Sequence, residues 1–201
     1  MPTTAPPPPI RIADGVYLLP RFIDDALADT LVAAAEERVC WNVNTGGTTL
    51  YREVIIKEFA PDLARQLHQH VENHAFDSIA NCLGVVPFAH DLPMGGLVDG
   101  SPFSFVVKYC EQTQVGTGEH HDFKGYATLT IVLNNAFVGG GTYFPAQNCT
   151  VHARKGDAVL FSGRRHLHRA MPVEQGTRYI VTVWVHAPNV DEMFDDVDPD
   201  S

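Results

Sequence analysis

The spacing of apolar residues changes once along the chain, and the change divides it into a helical first part and a strand-rich second part. Leu27, Leu31, Ala34 and Ala35 recur at the three- and four-residue intervals that place side chains on one helix face, from a cap at Asp24 or Asp25 up to about Cys40. A second helix is predicted from Pro61, a residue favoured in a first turn, through Leu63, Leu67, Val71, Phe76 and Ile79 to Gly84. Its histidines, His68, His70 and His74, read as surface or half-buried side chains rather than metal ligands. The glycine-rich stretches 42–49 and 91–101 read as loops. From Phe103 onward, 103–110, 126–133, 150–153, 157–161 and 178–186 are short, rich in β-branched or aromatic residues, and separated by glycine turns. Helices followed by closely spaced strands predict an α+β fold, mainly β: an antiparallel sandwich or barrel with the N-terminal helices packed on one side.

Composition narrows the class without naming a chemistry. A chain of 201 residues with 45% hydrophobic and 19% charged residues suits one soluble domain. We divide it into residues 1–20, a Pro-rich leader (Pro6 to Pro9, extended) and first strand, a single domain over 21–190, and an acidic tail over 191–201. The net charge is −10, and the six carboxylates of the tail carry more than half of it. A basic surface that tracks phosphates is therefore not expected, nor is a nucleic-acid partner, and the balance mildly favours a cationic substrate. No apolar run of membrane-spanning length is present, so no membrane partner is expected, and the N-terminus lacks the blocks of a signal peptide. Cys40, Cys82, Cys110 and Cys149 are scattered and read as buried free thiols. These features predict a reducing, cytoplasmic setting; the oligomeric state is not legible.

The residues that carry chemistry begin at Gly118-Glu119-His120-His121-Asp122. On an extended segment positions two apart share a side, so His120 and Asp122 can face one ion while His121 points away, into a supporting role. A third ligand comes from Arg164-Arg165-His166-Leu167-His168, which offers His166 or His168. Two imidazoles and one carboxylate on one face of an octahedron form the ligand set of non-haem Fe(II) oxygenases. Arg178 opens the apolar strand Arg178-Tyr179-Ile180-Val181-Thr182-Val183-Trp184. Period-two alternation puts Arg178, Ile180, Thr182 and Trp184 on one face; turned to the lumen, the guanidinium must be paired and a bidentate carboxylate suits it, whereas the strand by itself equally allows Arg178 on the outer face in a surface ion pair.

His120-His121-Asp122, Leu133-Asn134, Gly139-Gly140-Gly141, Lys155-Gly156-Asp157, Phe161, His168, Pro172 and Gly176-Thr177-Arg178-Tyr179 together resemble the catalytic domain of Fe(II)/2-oxoglutarate dioxygenases of the prolyl and lysyl hydroxylase group, and most of all the procollagen lysyl hydroxylase type. The resemblance runs from about Phe103 to Ala187. It implies a double-stranded β-helix, or jelly roll, over about 103–187. It also selects His168 over His166, because the family's distal histidine precedes by ten residues the basic residue that holds the far carboxylate of 2-oxoglutarate, as His168 precedes Arg178. Tyr109 and Thr182 match cosubstrate-pocket positions.

The implied cofactors are Fe(II) on His120, Asp122 and His168, 2-oxoglutarate, and O₂, with ascorbate as a supporting reductant. The implied reaction is hydroxylation of an aliphatic C–H with release of succinate and CO₂, since related halogenases lack the carboxylate that Asp122 supplies. The substrate is expected to be an amino acid, free or as lysyl or prolyl in a peptide, or a small natural product. Two rival classes share the ligands: a non-catalytic metal- or ligand-binding β-barrel or sensor protein, and a zinc-dependent hydrolase.

Overall fold

The computed structural model describes residues 7–37, 41–46, 49–84, 93–94, 98–99, 102–122 and 125–186, with backbone alone for 42–46, 49–51, 93–94 and 98–99. Strands β1 (Ile10–Ala13) and β2 (Val16–Leu19) precede helix α1 (Asp25–Glu36); β3 (Asn42–Gly46) and β4 (Thr49–Ile55) lead into a short α2 (Ile56–Phe59) and the long α3 (Pro61–Leu83). After the two-residue strands β5 (Pro93–Met94) and β6 (Val98–Asp99) come β7 (Phe103–Cys110), β8 (Ala127–Val132), β9 (Phe137–Gly139), β10 (Thr142–Phe144), β11 (Cys149–Val151), β12 (Ala158–Phe161), β13 (Arg169–Ala170) and β14 (Val173–Val185).

The large sheet runs β1-β2-β12-β8-β14-β7-β4-β3, with β9 paired to β14, and a smaller sheet runs β11-β10-β13. The arrangement is the double-stranded β-helix, and alternation along the strands explains its layers. Val106, Leu129, Ile131, Val181 and Val183 face the helices, where they join Leu31, Leu67, Val71 and Ile79 in one buried cluster. Their neighbours Phe105, Val107, Tyr109 and Ile180 face the interior of the roll. Both faces of the central strands are covered, so β8 is buried at every position and reads in the sequence as an unbroken apolar and Thr run.

The two long helices follow from local chemistry. The Asp24 carboxylate accepts from Leu27 N–H at 2.8 Å, capping α1. Pro61 opens α3, and Gly84 closes it in the left-handed conformation, φ 72°. The Lys155-Gly156-Asp157 motif is a structural clasp: Asp157 accepts from the backbone N–H groups of Arg21 and Arg154, and Lys155 reaches Asp29 at 2.6 Å. Leu133-Asn134 extends the β8–β14 ladder. Leu133 N–H donates to Tyr179 O, and the Asn134 amide donates to Thr177 O and accepts from Tyr179 N–H.

Several expectations are corrected. Of residues 42–49, read as a loop, Asn42–Gly46 and Thr49 belong to the paired strands β3 and β4, whose register runs Asn42↔Glu53 to Gly46↔Thr49, and 47–48 lie outside the described residues; Asn and Gly signal a hairpin turn as readily as an open loop. Within 91–101, Pro93–Met94 pairs with Val98–Asp99. The last strand begins five residues before Arg178, at Val173. Of the thiols, Cys110 is buried but Cys82 and Cys149 are only half-buried. Pro6, Cys40, Gly95, Gly96, Gly100 and the acidic tail lie outside the described residues.

Replacing Asn134 with Ala leaves a carbonyl and an N–H of β14 without partners, and we expect a loss of about 1–3 kcal/mol in stability by urea denaturation.

Candidate metal and cosubstrate site

The three proposed ligands are assembled by backbone hydrogen bonds between segments distant in sequence. His120 N–H donates to His168 O at 2.9 Å, and His168 N–H returns the bond to His120 O at 3.0 Å. This isolated antiparallel bridge brings the two rings to 4.4 Å between centroids. Asp122 N–H donates to Gly163 O, and a Cβ at Gly163 would collide with both Asp122 and Thr128, so the chain passes there at a distance only glycine allows. The ligand atoms of His120, Asp122 and His168 all lie within 4.8 Å of one another. His166 is not among them: its Nδ1 contacts Ser162 O.

The hydrogen-bond partners determine which nitrogens point inward. His120 Nδ1 meets Gly118 O and His168 Nδ1 meets His166 O, each at 2.9 Å. A carbonyl oxygen only accepts, so Nδ1 carries the proton on both rings, and in the neutral imidazole Nε2 is left with its lone pair. Burial holds the His168 pKa below its ordinary value against the opposing pull of Asp122, which favours that neutral form. Its Nε2 stands 3.5 Å from Asp122 Oδ2, and His120 Nε2 stands 3.7 Å from Asp122 Oδ1. Lone pairs of two imidazoles and a carboxylate, 6% exposed, thus converge on one point. A divalent cation fits that arrangement, because it offsets the mutual repulsion of its donors. Thr128, 1% exposed, donates its hydroxyl to Asp122 Oδ2 at 2.8 Å and fixes the carboxylate's orientation.

The ligands border a cavity of about 340 Å³. The predicted inward face of β14 is the one observed: Arg178, Ile180, Thr182 and Trp184 all line it, as does Tyr109. Arg178 is 2% exposed, and its Nη1 has no hydrogen-bond partner among the described residues. Its guanidinium lies 5.6 Å from the Tyr109 ring centroid and 5.9 Å from that of Phe137, and Gly140, at φ 67°, makes room for its stem. Burial lowers its pKa, with Tyr109 acting in the opposite sense. A buried cation with an unsatisfied donor suits the far carboxylate of a small dicarboxylate.

His121 departs from expectation. The bridge ends at His120, the residues after it are not a regular strand, and His121 lines the cavity instead of pointing away. The sequence reading also passed over Glu53, Thr117, Thr128, Thr142 and Gly163. None belongs to a motif, and no local pattern marks them: Glu53 follows Arg52 in a strand of mixed polarity, Thr-Leu-Tyr-Arg-Glu-Val-Ile.

Residues 105–186 match the 2OG-Fe(II) oxygenase superfamily model. Over 87 residues, 41% of this chain, the sequence is 41% identical to human procollagen-lysine,2-oxoglutarate 5-dioxygenase 2. The match covers 12% of that much longer protein. The viral collagen prolyl hydroxylase of Paramecium Bursaria Chlorella virus-1 superposes with a TM-score of 0.59 at 19% identity, covering 88% of this chain and 99% of that one. The non-heme alpha ketoglutarate dependent epimerase SnoN of nogalamycin biosynthesis gives 0.64 at 17% identity, covering 87% and 79%. At these identities the structural likeness speaks for the fold alone.

Replacing Thr128 by Val keeps its shape and removes its hydroxyl. Isothermal titration with Mn(II) is expected to show binding weakened about 10–100-fold, with Thr128→Ser close to the parent protein. Equal affinity in Thr128→Val would mean that the hydroxyl does not orient Asp122.

Proposed function

We propose that this chain, a 2OG-Fe(II) oxygenase of the prolyl/lysyl hydroxylase type, couples 2-oxoglutarate and O₂ to the hydroxylation of an aliphatic C–H, releasing succinate, CO₂ and the alcohol. The substrate class is an amino acid, free or as a lysyl or prolyl residue of a peptide, or a small natural product. The single observation that carries the reading is the pairing of a three-ligand metal face with a buried, unsatisfied guanidinium in one cavity. Fe(II) held by His120, Asp122 and His168, together with the cosubstrate, supplies the activation of O₂.

The protein's own residues do the placing. Arg178 fixes the far carboxylate of 2-oxoglutarate, so that its keto-acid end is directed to the metal face. Tyr109 flanks that guanidinium and Thr182 lines the same pocket. Gly118 O and His166 O hold both imidazoles with Nε2 turned inward. Phe105, Val107 and Ile180 give the cavity apolar walls that limit water around the reacting carbon. A zinc hydrolase has no need of the buried Arg178 beside its metal, and a binding module no need of a three-ligand metal face beside it, which favours the oxygenase reading over both. The free thiols Cys82, Cys110 and Cys149 support the cytoplasmic setting we propose.

Anaerobic titration with Fe(II) and 2-oxoglutarate is expected to produce the visible charge-transfer band of a chelated keto acid, followed by succinate formation on admission of O₂. Asp122→Ala abolishes both while thermal unfolding shows a folded protein. Arg178→Ala raises the 2-oxoglutarate concentration needed for half-development of the band by at least about tenfold, the loss expected of a charge-assisted contact. Zinc-dependent hydrolysis without 2-oxoglutarate, or an Arg178→Ala variant with parental cosubstrate affinity, would overturn the reading.

A further inference from the structure

His166, the alternative to His168 in the sequence, belongs neither to the ligand set nor to the cavity wall. Its surroundings give it another task. Ser162 O accepts three bonds from one turn: Arg165 N–H at 3.2 Å, His166 N–H at 2.9 Å, and the His166 ring through Nδ1 at 3.0 Å. Backbone and side chain of His166 thus close on the same carbonyl, which fixes the ring relative to the turn. That turn supports two metal ligands at once. Gly163 O accepts from Asp122 N–H at 2.9 Å, and His166 O accepts from His168 Nδ1 at 2.9 Å.

The far edge of the His166 ring meets the N-terminal hairpin. Val16 pairs with Phe161, so register sets Gly15 beside Ser162. Gly15 has φ 68°, and a Cβ on it would stand 2.4 Å from His166 Nε2 and 2.5 Å from Cε1. The backbone of the β1–β2 turn is therefore a wall against which the ring rests, and Gln147 ties that turn to the β10–β11 hairpin by donating Nε2–H to Asp14 O at 3.4 Å. Fully buried Phe144 packs near both imidazoles, 6.4 Å from His166 and 6.2 Å from His168 between centroids.

Resting on the metal-dependent oxygenase reading above, we propose that His166 is a positioning residue: its ring, bonded to Ser162 O and backed by Gly15, sets the turn that aims His168 and Asp122 at the metal. Gly15 stands outside residues 105–186, so the N-terminal hairpin takes part in the metal site without entering the cavity. Groups hydrogen-bonded to metal ligands change metal affinity by about 10–100-fold when they are lost, and a displaced carbonyl acts in the same direction.

Mn(II) binding is read by calorimetry and the Fe(II)/2-oxoglutarate band is recorded anaerobically, after thermal unfolding has shown each variant to be folded. His166→Ala is expected to weaken Mn(II) binding about tenfold and to move the band, whereas His166→Asn, whose amide can donate to Ser162 O from the place of Nδ1, stays close to the parent protein. Gly15→Ala is expected to weaken Mn(II) binding in the parent and not in His166→Asn, where the ring edge it would strike is gone. Gly84→Ala, a second positive-φ glycine with nothing within 4 Å of its Cβ, is the control and loses stability without a change in Mn(II) affinity. Parental Mn(II) affinity and an unmoved band in His166→Ala overturn the assignment. So does a loss in Gly15→Ala of equal size in both backgrounds, which would trace to backbone strain and not to the ring; if His166→Ala does not fold, this pair decides alone. In each of these cases a band in the parent protein leaves the oxygenase reading standing. If Mn(II) binds but the band never forms, the oxygenase reading falls and the Mn(II) comparison still decides the role of His166. A parent protein that binds no Mn(II) overturns both.

Discussion

The structure turns on a short-range electrostatic conflict that the fold imposes. Two imidazole Nε2 lone pairs and a carboxylate are held within 4.8 Å by backbone bonds that cannot rearrange without dismantling the His120–His168 bridge. Each ring has its proton drawn to the outside by a carbonyl, and Thr128 and Gly163 confine the carboxylate. Without a cation this is repulsion set in a buried place; with one it becomes a site whose geometry is fixed before binding. The cost is borne by the sheets around it, whose central strands are covered on both faces. Because the ligands sit on sheet elements rather than on a free loop, little reorganisation is left for the metal to impose.

Arg178 presents the same logic with the opposite sign. Desolvating a guanidinium costs several kcal/mol, and the faces of Tyr109 and Phe137 return only about 0.5–2 kcal/mol each. The difference is what a carboxylate ligand would recover. Removal of the positive charge would leave a dicarboxylate with no reason to orient, and removal of Gly140 would displace the side chain that carries the charge. On the proposed function, metal face and arginine are two halves of one cosubstrate site bordering the same cavity.

How far this was legible depends on how local the cause is. Both long helices were readable to within a few residues, because caps and 3.6-residue periodicity are properties of contiguous sequence: Asp24 caps α1, and Pro61 and Gly84 delimit α3. Strand β7 was read with its observed limits, and the inward face of β14 followed from alternation alone. The site needed more. His120 and Asp122 could be paired by spacing, but the choice between His166 and His168 came from resemblance, since the bridge that decides it is a long-range contact. Alternation failed at His121 because the segment stops being a strand there. The β3–β4 hairpin was missed because glycine and asparagine mark open loops and tight turns alike. With it went Glu53, whose inward direction exists only once β4 is paired to β7.

The same fold in proteins described as a collagen prolyl hydroxylase and as an epimerase implies that the roll does not by itself determine the outcome at carbon. On the proposed function, the outcome would then depend on where the substrate's carbon is held relative to the metal, and in this chain the walls that could hold it come largely from two sources. One is the matched segment, which contributes Phe105, Val107, Ile180 and Trp184; the other is β4, which enters the large sheet beside β7 from outside that segment. The first source supplies shape and apolar area, which discriminate weakly between side chains of similar size. The second adds Glu53, a half-buried side chain on the strand next to β7. On the proposed reading, the walls of the cavity rather than the metal ligands are therefore where chains that share this roll can diverge.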